Sequence, residues 1–334
     1  MNTINSARRE LLKLGGMGLA AAAATAVPSA YAAPRSSGTA PAGAFFDIRS
    51  YGAVGDGKTI DSPAINKAIE AAAAAGGGTV FFPAGTWLSF SIRLKSHVAL
   101  YLSQGCILEA AASPLPGQTT GYNGGTYDAA EPNTAWDAYQ DYGHNHWKNS
   151  LIWGIDLQDV SITGPGLIYG KGLSFGAGPG RPPGAPKNVG FGPERLPGAS
   201  TPPPSRPARG DFPMYQAEQA GVGNKAIAMK NCRNVIFRDF SILKGGHFGF
   251  LLTGVDNLTI DNITIDTDRD GIDIDCCRNV RVSNCFVNSP WDDGICPKSS
   301  YALGYARATE NMTITNCYVA GSYELGTMLD GTYK

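Results

Sequence analysis

The sequence contains few charged residues and almost no net charge. Charged side chains make up 16% of the 334 residues and the net charge is −1, whereas an average soluble protein is about 25% charged. Nothing in this balance attracts nucleic acid or an anionic membrane surface, and we expect neither as a partner. Glycine is abundant instead, with 43 residues, and this composition is typical of short strands joined by tight turns.

Long apolar runs are also missing. The most apolar segment, residues 14–27, is rich in Gly and Ala and shorter than the ~20 residues of a membrane-spanning helix, although a transmembrane anchor is the alternative interpretation. It follows Arg8-Arg9 and precedes Ala30-Tyr31-Ala32, in the order of a twin-arginine export signal and its cleavage site. We therefore predict a cleaved signal peptide over residues 1–32 and a periplasmic or secreted mature protein without membrane contact.

The sequence contains seven cysteines, an odd number. Export permits disulfides, but the count leaves at least one thiol unpaired, so the sequence predicts no particular bridge. Cys276-Cys277 and Cys296 also lack the paired spacing of a zinc site. We expect no cofactor.

The sequence shows no regular set of the short hairpins that a β-sandwich or propeller requires, but it contains an internal repeat. The repeat is nine residues long and begins with Asn, and its apolar residues fall one, three, six and eight positions after that Asn. The four clear copies are Asn234–Ile242, Asn257–Ile265, Asn279–Val287 and Asn311–Val319, and a weaker copy begins at Asp159.

The spacing of these apolar residues changes phase in the middle of each copy. Such a slip requires a bend between two strands that face the same core. Asn or Asp occupies the fifth position after the leading Asn in every copy, and these residues tolerate the left-handed backbone of a sharp bend. The copies then form successive coils of an all-β solenoid, a parallel β-helix. Its predicted interior columns are Phe240, Ile263, Cys285 and Cys317, and Ile242, Ile265, Val287 and Val319.

One short helix should cap the first coil. Ser62 is placed to N-cap this helix, Pro63 suits its first turn, and its apolar face contains Ile65, Ala68, Ile69 and Ala72. We therefore divide the chain into the signal peptide, a linker over residues 33–44 and a β-helix domain over residues 45–334. Residues 170–223 are dense in Pro and Gly, and they form either an unstructured surface loop or one wall of a substrate cleft.

Ionisable residues recur at one position of the coils. Thirteen residues after the leading Asn stand His247, Asp270, Asp292 and Glu324, and Asp293 follows Asp292. Like charges at strand spacing destabilise one another unless a proton or a partner neutralises them. Closely spaced carboxylates also drive their pKa values apart, which supplies the acid and the base that glycosidic bond cleavage needs. Solvated turn residues and calcium ligands are the alternative interpretations.

Several neighbouring residues have two interpretations each. His247 suits either a stacked ladder or a sugar subsite. Trp291 and Tyr323 suit either stacking on a sugar or aromatic packing beside a turn. Lys298 suits contact with a uronate carboxylate, but a solvated loop lysine is the simpler interpretation.

Two segments resemble a known family. Asp268-Arg269-Asp270-Gly271 and Trp291-Asp292-Asp293-Gly294-Ile295-Cys296 resemble the active-site strips Asn-Thr-Asp-Gly and Gly-Asp-Asp-Cys of glycoside hydrolase family 28. This family contains polygalacturonases and rhamnogalacturonan hydrolases. Tyr51–Gly57 and Ile162–Gly166 are similar to other stretches of the family, so the resemblance runs intermittently from Phe46 to Lys334.

The resemblance implies a right-handed β-helix and an inverting hydrolase of pectin-type polysaccharides that needs no metal. Asp292 would be the general acid, and Asp270 and Asp293 would position and deprotonate water. The candidate substrate-binding residues are His247, Asp268, Arg269, Tyr323 and Glu324. We expect a monomer. The alternatives are a polysaccharide lyase, with Arg269 as the nearby catalytic candidate, and a non-catalytic carbohydrate-binding β-helix.

The sequence departs from the family pattern at three places. Asp268 and Arg269 replace the usual Asn and Thr, and Ser322–Gly326 occupies the place of a Gly-His-Gly strip. An Arg-Ile-Lys strip that binds substrate carboxylates would lie beyond Lys334. We therefore expect a β-helix truncated at its C-terminus, with further coils missing.

Overall fold

The structure is a computed structural model that describes residues 44–115, 117–137, 142–174, 219–267, 269–289 and 292–321. All of these residues lie in one structural unit, Ala40–Lys334. The predicted signal peptide, most of the linker and most of the Gly/Pro-rich loop lie outside the described residues, and they stay predictions.

Three parallel sheets form the walls of a β-helix. Within the described residues, sheet 1 consists of β1 (Phe45–Asp47), β3 (Gly78–Phe82), β6 (Val98–Leu102), β9 (Gln158–Thr163), β12 (Arg233–Arg238), β15 (Asp256–Asp261), β18 (Arg278–Ser283) and β21 (Glu310–Thr315). Sheet 2 consists of β2 (Asp56–Ile60), β4 (Gly85–Ser89), β7 (Cys106–Ala110), β10 (Leu167–Tyr169), β13 (Ser241–Leu243), β16 (Thr264–Asp266), β19 (Phe286–Ser289) and β22 (Tyr318–Gly321). Sheet 3 consists of β5 (Ile92–Arg93), β8 (Ile152–Ile155), β11 (Lys225–Lys230), β14 (Phe248–Thr253), β17 (Asp270–Asp275) and β20 (Ile295–Lys298).

The chain visits the three sheets in turn, so that β12, β13 and β14 form one coil and β15, β16 and β17 form the next. The described strands of neighbouring coils pair in parallel, as in the pairs β12 with β15, β13 with β16 and β14 with β17. The prediction of a parallel β-helix is therefore confirmed.

The predicted interior columns run along the stack. Ile242 pairs with Ile265, Ile265 with Val287, and Val287 with Val319, and the first three of these side chains are buried. In the last described coil Val319 is 48% exposed and Cys317 is only partly buried against the core. The columns are thus confirmed in register, while full burial holds only up to the coil before the last.

The bends between sheet 1 and sheet 2 carry the predicted left-handed residues. Asp239, Asn262, Asn284 and Asn316 have φ angles of 71°, 53°, 56° and 50°. Asn262 also donates a hydrogen bond to the side chain of Asp239 in the preceding coil, at 2.9 Å. The leading Asn residues of the repeat are left-handed too, a feature that was not predicted: their φ angles are 56° for Asn234, 55° for Asn257, 57° for Asn279 and 57° for Asn311.

The helix α1 (Ser62–Ala74) packs beside the first coil and buries the apolar face that the sequence predicts. The prediction that Ser62 is its N-cap is wrong. Asp61 occupies that position without capping, because its carboxylate accepts the N–H groups of Val54 and Gly55 at 2.7 and 3.1 Å. The Ser62 hydroxyl instead accepts the N–H of Phe90 at 2.8 Å. None of the described helices is long and apolar enough to cross a membrane.

The two longest connections both lead from sheet 2 to sheet 3. Residues 111–151 connect β7 to β8, and residues 170–224 connect β10 to β11. The first of these includes 3₁₀ turns at Tyr122–Gly124 and Tyr142–Asn145, and a further 3₁₀ turn lies at Ile48–Tyr51. Both connections therefore enter sheet 3 at the edge where its strands begin.

Candidate active site

The acidic residues lie at this same edge of sheet 3. Asp270 is the first residue of β17, and Asp292 and Asp293 precede β20. The glycine after Asp270 faces the core, because a Cβ on Gly271 would lie 2.5 Å from Val287 Cγ1. Ile272 belongs to the main core as well, so the alternation of side chains is interrupted at the start of β17. Asp270 pairs with Phe248, which belongs to a separate cluster outside that core, and the Asp270 carboxylate therefore points away from the main core.

The sheet register corrects the predicted column. β14 and β17 pair Phe248 with Asp270, and the pairing of Ile272 with Ile295 places Asp270 opposite Asp293. His247 and Asp292 each lie one residue before the position that is in register with Asp270. The prediction that these three residues share one repeat position is therefore wrong. The cause is the turn between sheets 2 and 3: Phe248 stands six residues after Ile242, whereas Asp270 stands five after Ile265.

The three predicted catalytic carboxylates nevertheless converge. One oxygen each from Asp270, Asp292 and Asp293 lie within 4.8 Å of one another. Arg269 joins them, with its Nη2 atom 2.8 Å from Asp292 Oδ2 and 3.9 Å from Asp270 Oδ2. The structure thus brings together four of the residues named from sequence.

The buried hydroxyl of Ser289 fixes the two turns that carry these groups. It lies 2.6 Å from the carbonyl oxygen of Arg269, and 3.0 and 2.9 Å from those of Asp292 and Asp293. One hydroxyl proton can serve one of these acceptors at a time. Ser289 therefore holds both strips at a common centre, and it was not predicted.

Burial raises the pKa values of two carboxyl groups of the site. Burial raises the pKa of Asp270 well above its usual range, and the charges of Asp273 and Asp292 raise it further, against the effect of Lys298 and Arg269. Burial also raises the pKa of Asp293, with contributions from Asp292 and Asp273. Carboxyl groups with raised pKa values can keep a proton at a pH where an ordinary aspartate has lost it.

A second charged cluster, Asp273, Lys298 and His144, lies directly beside the first. Lys298 Nζ donates to Asp273 Oδ2 at 2.7 Å, and His144 Nε2 lies 3.2 Å from the same oxygen. Burial opposes ionisation of Asp273, but Lys298 and His144 outweigh it and hold its pKa below the usual value. The interpretation of Lys298 as a solvated loop lysine is wrong, because only 19% of its side chain is exposed.

His247 lies against Asp270 although it is not in register with it. Its Nε2 atom is 3.7 Å from Asp270 Oδ2, and its ring stacks on Phe248 with centroids 4.0 Å apart. Gly143 makes this approach possible, since a Cβ there would lie 2.7 Å from His247 Nδ1. The ring is therefore packed into the wall of the site, next to the acid cluster.

Three predicted site residues, Asp268, Tyr323 and Glu324, lie outside the described residues, as does Trp291. The structure adds three further residues to the site. His144 and Asp273 were not predicted, and Lys298 was interpreted as a solvated loop residue. Asp273 lies between Ile272 and Ile274, where a buried carboxylate requires a partner, and that signal was available in the sequence. His144 was not detectable, because only the connection between β7 and β8 brings it to sheet 3.

Among the described residues, the three carboxylates are also the group that offers closely spaced ligand atoms for a cation. Calcium takes about six to eight oxygen ligands, and three aspartates supply a minority of these. The Arg269 guanidinium already contacts two of the three carboxylates. This donor set fits acid–base chemistry with internal charge compensation better than it fits a metal.

Comparisons with known proteins agree with this fold. A family model described as "Rhamnogalacturonase A/epimerase, pectate lyase-like" matches residues 45–106, and one described as "Right handed beta helix region" matches residues 225–334. A probable polygalacturonase of Vitis vinifera is 26% identical over 305 residues, which cover 84% of this chain and 51% of that protein. The chain thus spans about half the length of this relative.

Two solved structures have the same architecture. A family 28 exopolygalacturonase of Yersinia enterocolitica matches with a TM-score of 0.56 and 22% identity, covering 84% of this chain and 49% of that one. A hyperthermoactive exopolygalacturonase of Thermotoga maritima also matches with a TM-score of 0.56, at 17% identity, covering 83% of this chain and 60% of that one.

The fold is a parallel β-helix, and parts of the chain are similar to the pectate-lyase-like and right-handed β-helix family models. Within that class the chain is similar to glycoside hydrolase family 28, the group of pectin-degrading hydrolases that the strips around Asp270 and Asp292 resemble.

Proposed function

We propose that this chain hydrolyses glycosidic bonds of a pectin-type polysaccharide, with Asp270, Asp292 and Asp293 as its catalytic carboxylates. The observation that carries the proposal is their convergence within 4.8 Å at the edge of sheet 3. Glycosidic cleavage needs one carboxyl group that donates a proton and one that activates water or attacks carbon. The similarity to a polygalacturonase supports the choice of polymer.

The stereochemical course is a separate part of the proposal. The family resemblance supports inversion, in which the acid and base carboxyl groups stand ~6.5–9.5 Å apart, whereas retaining enzymes place them ~5–5.5 Å apart. The nearest carboxylate oxygens here lie within 4.8 Å, which is closer than the inverting range. Proton NMR of the first product anomer decides between the two: inversion predicts the anomer opposite to that of the substrate.

The test of the hydrolase is release of reducing ends from polygalacturonate and from rhamnogalacturonan by the purified protein. We expect Asp270→Asn and Asp292→Asn each to lower kcat/KM about 100- to 10,000-fold, the usual contribution of a general acid or base. Glu70→Gln, on the exposed face of α1, is the matched control and should leave the rate unchanged. Equal rates for Asp292→Asn and the unsubstituted protein would refute the proposal and favour a non-catalytic β-helix.

A polysaccharide lyase is the second candidate, because Arg269 stands beside the acids. The ultraviolet absorbance of an unsaturated uronate product separates the two reactions, since hydrolysis produces none. Arg269 donates a hydrogen bond to Asp292 at 2.8 Å, and an arginine held by a carboxylate is poorly placed to abstract a proton. We therefore expect no such absorbance.

We also propose that the protein is exported through the twin-arginine signal over residues 1–32. Replacing Arg8 and Arg9 by Lys should retain the precursor inside the cell, as measured by fractionation and by the mass of the N-terminal peptide.

A further inference from the structure

A segment of the connection between β7 and β8 lies over the outer face of sheet 3. We call it the covering segment, and its described residues are 128–137 and 142–148. Its residue Trp147 belongs, with Phe248 and Leu251 of β14, to an apolar cluster that is separate from the main core. All three residues are at most 1% exposed. The covering segment therefore occupies the outer face of β14, where a bound sugar would otherwise lie.

Polar contacts fix the covering segment on the sheet. The indole N–H of Trp147 donates to Thr253 Oγ1 of β14 at 3.0 Å, and Lys230 Nζ of β11 lies 3.9 Å from the centroid of the Trp147 ring. Farther back along the segment, Asp128 Oδ2 accepts the indole N–H of Trp153 of β8 at 2.8 Å. The segment is therefore a fixed layer over β8, β11 and β14, the three strands of sheet 3 that directly precede β17.

The covering segment reaches the edge of the candidate active site. The ring of His144 meets that of Phe248 edge to face, with centroids 4.7 Å apart, and His144 Nε2 lies 3.2 Å from Asp273 Oδ2 on β17. Exposure changes at this boundary: the side chain of Asp270 is 3% exposed, whereas that of Asp292, in the next coil, is 24% exposed. Within the described residues, the site is therefore closed toward β14 and open toward β20.

A polymer that is cut internally continues on both sides of the cleaved bond, so its enzyme needs open surface in both directions. We propose that the covering segment admits only the end of a polymer chain to the carboxylates, so that this protein cleaves from a chain end and releases one short product of fixed length. The inference rests on the proposed hydrolase function and adds its mode of attack. Each turnover adds one water molecule across one glycosidic bond: the anomeric carbon gains the hydroxyl group and the leaving oxygen gains the proton. The rest of the polymer extends over β20.

The lengths of the products test this mode of attack with the unsubstituted protein. On polygalacturonate we expect one short product from the first turnovers and a slow fall in viscosity, because each cut removes only a chain end. Oligogalacturonates of increasing length, labelled at the reducing end, should all be cut first at the same distance from the same end. Products of many lengths early in the reaction, with a rapid fall in viscosity, overturn the proposal.

Two variants test the part of the covering segment. Trp147→Ala removes the indole that holds the segment on β14, and His144→Gly shortens the segment at its edge without removing a buried indole. We expect each variant that circular dichroism shows to be folded to release additional, longer products. Tyr101→Ala, an exposed aromatic position on sheet 1, is the matched control and should retain the single product. An unchanged single product from both folded variants would contradict closure by this segment.

The stoichiometry of binding separates this inference from the proposed function. A site that takes only one kind of chain end binds one protein molecule per polygalacturonate chain at every chain length, whereas an open site binds more molecules as the chain grows. Calorimetry with Asp292→Asn and chains of defined length measures this ratio without turnover. If the unsubstituted protein releases no reducing ends, the proposed function fails, while a ratio of one still supports binding by the chain end. A ratio that rises with length, or no binding at all, contradicts the inference.

Discussion

Two buried aspartates of one strand, Asp270 and Asp273, have opposite effects on stability. The pKa of Asp270 is raised, so the native state favours its protonated form, and that contribution is lost as pH rises through the folded value. The pKa of Asp273 is lowered, so its ion pair with Lys298 stabilises the native state above the ordinary value and is lost as pH falls through the lowered one.

We expect the two Asn variants to differ in sign at neutral pH. Asp270→Asn removes a carboxyl group that is costly to ionise in the native state, and it should raise the free energy of unfolding at neutral pH by about 1 kcal/mol or more. Asp273→Asn leaves the Lys298 ammonium without its carboxylate and should lower the free energy of unfolding by about 3 kcal/mol. Urea unfolding followed by circular dichroism, at neutral and at acid pH, measures both. Changes of the same sign would contradict the two environments described for these residues.

The bends show which features of an element follow from its sequence. Asn and Asp recur at the bend in every copy of the repeat, and the left-handed backbone of Asn262 confirms the prediction because the rule is local to one residue. The position of Asp270 relative to its neighbours was wrong because turn length varies by one residue between coils, and no residue in the turn marks this change. His144 could not be predicted, because it belongs to a long connection that is not part of the repeat.

The bend ladder can be measured at Asn262, whose side chain is exposed and bonds to Asp239 at 2.9 Å. Asn262→Ala loses this hydrogen bond and places alanine in a left-handed conformation, so it should destabilise the β-helix by about 2 kcal/mol. Asn262→Gly loses only the hydrogen bond, because glycine adopts this conformation freely, and should cost about 1 kcal/mol. Equal losses for Ala and Gly in urea unfolding would exclude backbone conformation as the reason for Asn at this bend.

Burial in the stacked coils, and not disulfide formation, protects the cysteines from reaction. All seven are free, and six of them are buried. Burial raises the pKa of Cys106 and Cys276 to about 12 and that of Cys232 and Cys285 to about 11. Since the thiolate is the reactive form, these side chains are inert as long as the coils stay stacked.

Maleimide labelling therefore reports the integrity of the stack. In the native protein at neutral pH we expect rapid modification of Cys317 alone, which is partly exposed in the last described coil. All seven should react in guanidinium chloride, as counted by mass spectrometry. Rapid labelling of Cys232 or Cys285 in the native state would show that inner coils open locally.

The turn before Asp270 is one residue shorter than the corresponding turn of the preceding coil. Such a difference changes the position of a site residue along its strand independently of the spacing between coils. Ladder hydrogen bonds hold neighbouring coils ~4.8 Å apart and keep the core columns in line. Adding or removing one turn residue moves a functional group along its own strand by about 3.3 Å and leaves that stack intact. Evolution and protein engineering can thus change the spacing of groups along a bound polymer by editing turns between sheets 2 and 3, without redesigning the hydrophobic interior.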